Sequence, residues 1–389
     1  MIYSNGNKIM GPFFFLSKIF GLLLVKEQVI SLNNQQNSRD YVHTIFLPDR
    51  SFLAYSVIII VYLYWSFQNC IQFIVWSNFS TEQYSSVMEW VVTCASIVQA
   101  IVSVMIACLY RFNETSSVLN QMFHLHSQRP SISNIQDHKS TMLYFGIVTG
   151  LIFIRIFAVV LSRPDNFMFK ETVLCLPALL IPVMVECDIV QVCVVFDDTC
   201  RQIVQDLNTL CNCRHLAKSR QLKILWEKHW QCCQLINTAS KCYGLDLLLN
   251  MIASMLSFIF YTYITLKSAY ALTLDDPYKL FWTIGLICQL VNVSFRIVFV
   301  SYQADKIKHV AENLVKISLR EVLKSCSDDD TSSIIVINLF TNQVIKRDIK
   351  ISACGFFSIN MSLIHGLIQL ATTYLIVIIQ YSSKSKTKP

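Results

Sequence analysis

The last long apolar block of the chain, residues 357–380, ends in TTYLIVIIQ, an odd place for an amide if that helix faced only lipid. On a helix turning about 100° per residue, take Ser362 as zero. Gly366, Gln369, Thr373, Ile376, Val377 and Gln380 then fall within roughly 60° of it, with His365 at the edge. The stripe is about 27 Å long at 1.5 Å per residue. Two chemistries suit it. Small and polar residues hold helices together within one membrane bundle. The same residues, supplied by several chains around a closed ring, line a watery path in which neutral amides replace part of an ion's hydration.

Other reactive types are scattered through the chain. Arg155, Glu186, Asp188 and Arg296 fall inside apolar blocks at middle or inner depths. Charges there default to functional candidates. Two acids and two bases at neighbouring depths nevertheless read first as mutual ion pairs, and a structural role is expected. Cys211, Cys213 and His215, with His229, Cys232 and Cys233, bring metal-ligating types together, but their spacing matches no common zinc pattern. No metal or cofactor is expected. The chain has no Gly-x-Ser-x-Gly, phosphate loop or His-Glu-x-x-His, so no enzymatic constellation emerges.

The elements that must carry these residues are membrane helices. The 389 residues are 54% hydrophobic and 15% charged, where a soluble domain carries about 25% charged residues. Blocks long enough to span a bilayer lie near 51–76, 86–110, 142–162, 172–195, 245–266, 278–302 and 357–380. The expected fold is all-α with seven transmembrane helices. Ile9–Val25 is short, broken by Gly11-Pro12 and carries Lys18, and it reads as an amphipathic segment lying at the inner surface. Between Pro182 and Gly244 there is no Gly or Pro, so the fourth span is expected to continue as helix beyond the membrane. Apolar stripes at Ile203, Leu207 and Leu210, and at Ile307, Val310, Leu314 and Ile317, predict a helical bundle outside the bilayer where subunits can pack.

Lys and Arg set the orientation. One alternating set of connections (1–50, 111–141, 196–244, 303–356) holds 23 of them, and the other set holds 6. The N-terminus is therefore expected in the cytoplasm and the C-terminus outside. The basic charge is topological, and no nucleic acid is implied. The division that follows is a cytoplasmic 1–50, spans one to six over 51–302 with a cytoplasmic extension at 196–244, cytoplasmic amphipathic helices at 303–356, the seventh span at 357–380 and an outer tail at 381–389. The loops assigned outside contain no cysteine, so disulfides are not expected there. Cys175, near the outer end of span four, is the one thiol with such a role open to it. Asn78, in Asn78-Phe79-Ser80, is a glycosylation candidate.

The C-terminus resembles the insect gustatory receptor family. Its closing signature is a Thr-Tyr pair, five apolar residues and Gln-Phe; here it reads Thr373-Tyr374, Leu375 to Ile379, Gln380-Tyr381. LFTNQV (339–344) and ACGFFSIN (353–360) are similar to the same closing region, and PFFFLSKIFGLLL to the family's opening motif. The resemblance implies a homotetrameric ligand-gated cation channel, or a hetero-oligomer with other receptors, in the plasma membrane of sensory dendrites. Its pore would be lined by the seventh span. Gln380 and Tyr381 would stand at the gate, supported by Tyr374 and Thr373, with Gln369 and Val377 along the path. Tyr381 replaces the usual Phe and adds a hydroxyl to the gate ring.

In that family the ligand pocket opens to the outside among spans two to six. The positions this implies are Glu89, Trp90 and Thr93; Phe258, Tyr261 and Tyr263; and Phe281, Trp282 and Gln289. An aromatic cavity with few polar groups suits a small, mostly apolar tastant, and packing or interfacial-belt roles are the competing reading. Sugar receptors of the family place Glu after the Thr-Tyr pair, where this chain has Leu375. That points to a bitter or plant-derived compound, with a fructose-type ligand as the alternative. A G-protein-coupled receptor is disfavoured by the inside N-terminus and the missing Asp-Arg-Tyr and Asn-Pro-x-x-Tyr motifs. A transporter is disfavoured by the odd span number without an inverted repeat.

Overall fold

The computed structural model describes residues 13–32, 41–76, 84–127, 139–162, 175–210, 215–270, 277–326, 331–347 and 349–385. A short helix α1 (Phe13–Ile19) precedes the antiparallel pair β1 (Val25–Leu32) and β2 (Tyr41–Pro48). Helices α2 (Ser51–Trp76), α3 (Tyr84–Leu109), α4 (Glu114–Ser127), α5 (Lys139–Ser162), α6 (Leu176–Leu210) and α7 (His215–Tyr270) follow. Then come α8 (Pro277–Lys308), a π-helical stretch (His309–Leu314), α9 (Val315–Lys324), α10 (Thr331–Lys346), the hairpin β3 (Ser352–Ala353) and β4 (Phe357–Ser358), and α11 (Met361–Ser385). Among the described residues six helices are long and apolar enough to cross a membrane, and α11 adds a shorter apolar stretch, Met361–Val377. The protein is a multi-pass membrane protein built from helices.

Helix α6 is the axis of the fold. It packs against α1, α3, α4, α5, α7, α8 and α9, and every residue from Ile181 to Asp197 is buried. A helix apolar on all sides must be central, and this one runs unbroken from the bilayer to Leu210, through Pro182. There Ile203, Leu207 and Leu210 meet Leu222 and Leu225 of α7, Val315, Leu319 and Val322 of α9, and Phe340 of α10 in a second core. The stripe of Ile203, Leu207 and Leu210 is covered there, whereas Ile307 and Val310 are buried in the main core and Ile317 remains 52% exposed.

The N-terminal segment packs one face on the bundle. Phe14, Ser17 and Leu22 to Val25 are buried, and Ser17 Oγ donates to Asp188 Oδ1 of α6 at 2.9 Å. The chain then returns as the β1–β2 hairpin, whose edge is held by one side chain. Asn120 of α4 accepts from Phe46 N–H at 2.8 Å and donates to Phe46 C=O at 3.0 Å. A carboxamide pairs with both groups of a single residue as a neighbouring strand would. The segment is tied to α4 and α6, while Phe15, Ile19 and Leu47 remain exposed on its other side.

The β3–β4 hairpin lies on α7. Ser240 Oγ accepts from Ser352 N–H at 2.9 Å and approaches Ser352 C=O at 3.2 Å. Gly244 makes the contact feasible, because a Cβ there would stand 2.9 Å from Cys354 N. The turn itself passes through positive φ at Cys354 (51°) and Gly355 (78°). Asn360 then caps α11, its Oδ1 accepting from Leu363 N–H at 3.1 Å.

Candidate functional site

Helix α11 is attached by one side. Ala371 is 1% exposed, and Leu363, Ile364, Leu367 and Leu375 are half-buried. Relative to Ser362, residues 364, 367, 371 and 375 fall at roughly 140–220°, diametrically opposite the polar stripe. The partners on that side are α7 and α8. Ser362, His365, Gly366, Gln369, Thr373, Ile376, Val377 and Gln380 are all exposed. Thr373 Oγ1 donates back to Gln369 C=O at 2.9 Å. Tyr374 is 51% exposed, on the flank of the helix. Tyr381 continues the helix, and its side chain lies outside the described residues. From Ser362 to Val377 the stripe thus faces away from α7 and α8.

The packed face of α11 meets an aromatic cluster. Ile364 and Leu367 pack against a cluster that contains Val92 of α3, Tyr261 and Ile264 of α7, and Leu286 and Val293 of α8, with Phe258, Tyr263 and Trp282 also at its margin. Four of the pocket candidates are thus brought together beside the terminal helix. Gln289 is buried and its Oε1 has no hydrogen-bond partner among the described residues. Thr93 and Phe281 are half-buried. Glu89 and Trp90 lie in α3 with side chains outside the described residues, and Asn78 falls outside them altogether. Arg155 of α5 reaches the same cluster, its guanidinium 5.4 Å from the centre of the Tyr261 ring.

Below this cluster runs a buried polar network. Arg296 of α8 donates to both oxygens of Glu186 at 2.9 Å and to Asn250 Oδ1 at 3.0 Å. Tyr144 of α5 and Asn250 of α7 also donate to Glu186, and Gln99 of α3 donates to Asn250 Oδ1 at 2.8 Å. Asp188 goes elsewhere. Two residues on a helix are turned by about 200°, so Asp188 leaves α6 on the far side from Glu186, toward Ser17. The four membrane charges therefore do not form one cluster. The far side instead carries a pair the sequence did not advertise, with Arg111 Nη1 3.2 Å from Asp246 Oδ2 and both side chains 1% exposed. Arg111 follows directly on an apolar block and counts as a loop charge by position, which conceals it.

Of the Cys-His group, the structure describes the contacts of His229 and Cys233. Cys233 Sγ lies 3.7 Å from His229 Nδ1, which also meets Gln343 Nε2 at 3.2 Å. Cys211 and Cys213 are outside the described residues, and no cluster of three metal-ligating side chains occurs among the described ones.

A mostly helical, multi-pass bundle with two short hairpins, an axial helix and a terminal helix attached by one face defines the architectural class. Residues 10–385 match the model of the 7tm chemosensory receptor family, and the chain belongs to that family. The structure is similar to that of the insect olfactory receptor OR5 from Machilis hrabei, with a TM-score of 0.67 and 13% identity over 94% of this chain and 96% of that one. The same receptor in complex with eugenol gives a TM-score of 0.64 and 14% identity, covering 96% and 98%. No curated protein matches the chain. At these identities the likeness carries the fold. The family is one of receptors and not of enzymes.

Proposed function

We propose that the chain is a taste-type, ligand-gated, non-selective cation channel, working as a homotetramer whose α11 helices surround the conduction path. One observation carries the reading. Helix α11 is held by Ile364, Leu367, Ala371 and Leu375, while the opposite polar stripe is presented away from the chain's own bundle. A membrane protein leaves amides and hydroxyls on an outer face only where a partner or water will meet them. In a four-fold ring Gln369, Thr373 and Gln380 contact permeating ions, Val377 narrows the path, and Tyr381 closes it. Positive-inside orientation places the α6, α7, α9 and α10 extensions in the cytoplasm as the anchor between subunits. The aromatic cluster around Tyr261 and Trp282 is the ligand-sensing region. Its apolar character suits a bitter or plant-derived compound, and the eugenol complex of OR5 is a precedent for a small organic ligand in this fold.

Cysteine scanning tests this. Thiol reagents applied to cysteines placed at Gln369, Thr373 and Val377 are expected to alter agonist-evoked current, and those at Leu367, Ala371 and Leu375 to leave it unchanged. The reverse pattern would overturn the reading.

A further inference from the structure

We propose that Cys70, Cys94 and Cys175 form an oxidation site that staples α2 to the start of α6 through a Cys70–Cys175 disulfide. The three thiols come from separate stretches of chain and meet at one level. Cys70 lies near the end of α2, Cys175 directly precedes α6, and Cys94 stands on α3. Cys70 Sγ and Cys175 Sγ are 3.8 Å apart, van der Waals contact, with 0% and 4% of the two residues exposed. Cys70 also hydrogen-bonds Cys94, so it is the central sulfur of the three. Ser66, one turn before Cys70 on the same face of α2, places its hydroxyl 3.8 Å from Cys175 Sγ, within hydrogen-bond range of sulfur. A disulfide needs the sulfurs at about 2.05 Å, so closure requires a movement of about 1.8 Å, within the reach of side-chain rotation.

The burial pattern sets the order of events. Cys94 is half-buried, the most accessible of the three. Its thiolate attacks a small disulfide such as oxidised glutathione, expelling one glutathione thiolate and leaving a mixed disulfide. Cys70 attacks the Cys94 sulfur and expels the second glutathione thiolate. Cys175 attacks Cys70 and returns Cys94 as a thiolate. In sum, Cys70 and Cys175 lose two electrons and two protons, and the glutathione disulfide leaves as two thiols. Thiol–disulfide exchange of this kind requires only contact between sulfurs and a thiolate at each step.

The test uses the full-length chain in native membranes and reads chemistry alone, so it is independent of channel activity. Membranes are treated with oxidised glutathione, free thiols are blocked with one isotopic form of an alkylating reagent, disulfides are reduced, and the released thiols take a second form. Mass spectrometry is expected to find Cys70 and Cys175 in the second form and linked before reduction. Cys94 is expected in the first form, and Cys94→Ala is expected to slow the linkage severalfold. Recovery of Cys70 and Cys175 as free thiols in the wild type would overturn the proposal, as would linkage at an unchanged rate in Cys94→Ala.

Discussion

Replacing Arg296 by Met removes the only cation that the described network places on Glu186. The Glu186 side chain is 2% exposed and Arg296 11%, so neither reaches water when the other is removed. Glu186 would keep the neutral donors Tyr144 and Asn250, and Asn250 Oδ1 would keep Gln99. Removing one partner of such a pair costs about 3–5 kcal/mol, because a buried charge is left uncompensated. Replacing both by neutral groups costs far less, since the desolvation penalty leaves with the charges. A thermal midpoint in a chain this large moves by roughly 2 °C per kcal/mol, so Arg296→Met is expected to fall by about 6–10 °C. The double variant Glu186→Gln with Arg296→Met is expected to regain most of the loss. Fluorescence-detected size-exclusion chromatography after a heating series measures both, and the four corners form a double-mutant cycle. If Arg296→Met matched wild type, or the double variant fell as far as the single, the pair would not be the coupled unit described.

Three further outcomes follow from α11 and its mount. Ala371→Leu forces extra volume between α11 and its supports and is expected to lower stability by about 1–3 kcal/mol, whereas Gln369→Ala on the exposed side is expected to leave the same heating series within about 0.5 kcal/mol while changing single-channel conductance. Gly244→Ala places a methyl 2.9 Å from the Cys354 backbone nitrogen, and limited proteolysis is expected to cleave the 352–358 hairpin faster than in wild type. Asn360→Ala removes the cap of α11 at a cost of about 1 kcal/mol, read as faster amide exchange at Leu363 than at residues two turns further on.

The polar stripe of α11 was legible because a helix of known pitch converts spacing directly into direction, and no other part of the chain is needed to do so. The length of α6 was legible for a similar local reason, the run without Gly or Pro after Pro182. The pairing of charges was only half legible. Glu186 pairs with Arg296, but Asp188, two residues on and turned by about 200°, points away from that pair. Nothing local announces that Arg111 meets Asp246, that Asn120 holds Phe46, or that Cys70 meets Cys175. Each of these contacts joins elements far apart in sequence, and the residue types are ordinary in isolation. The β1–β2 hairpin was not legible because the surface-segment reading ended at Val25 and the contact that holds the hairpin, Asn120 with Phe46, joins residues 74 apart in sequence. Candidate pocket residues stood between these extremes, with Tyr261, Phe258, Tyr263 and Trp282 brought together in one cluster while Phe281 and Thr93 stand outside its described membership.

Helix α7 connects the two places where α11 is restrained. Ser240 and Gly244 hold the hairpin that leads into α11, and Tyr261 and Ile264 of the same unbroken helix belong to the cluster that receives Ile364 and Leu367. From Gly244 to Tyr261 the helix spans about 26 Å at 1.5 Å per residue, a rod with one end at the root of α11 and the other among the aromatics. In the proposed channel this fixes what a ligand can do. A compound that expands this cluster acts on the packed face of α11 while the root stays clamped, so the helix tilts about Asn360 and does not slide. Tilting displaces the far end most, where Val377, Gln380 and Tyr381 lie. A gate at the end of the helix remote from its clamp is the arrangement in which a small expansion of the cluster gives the largest change in pore radius.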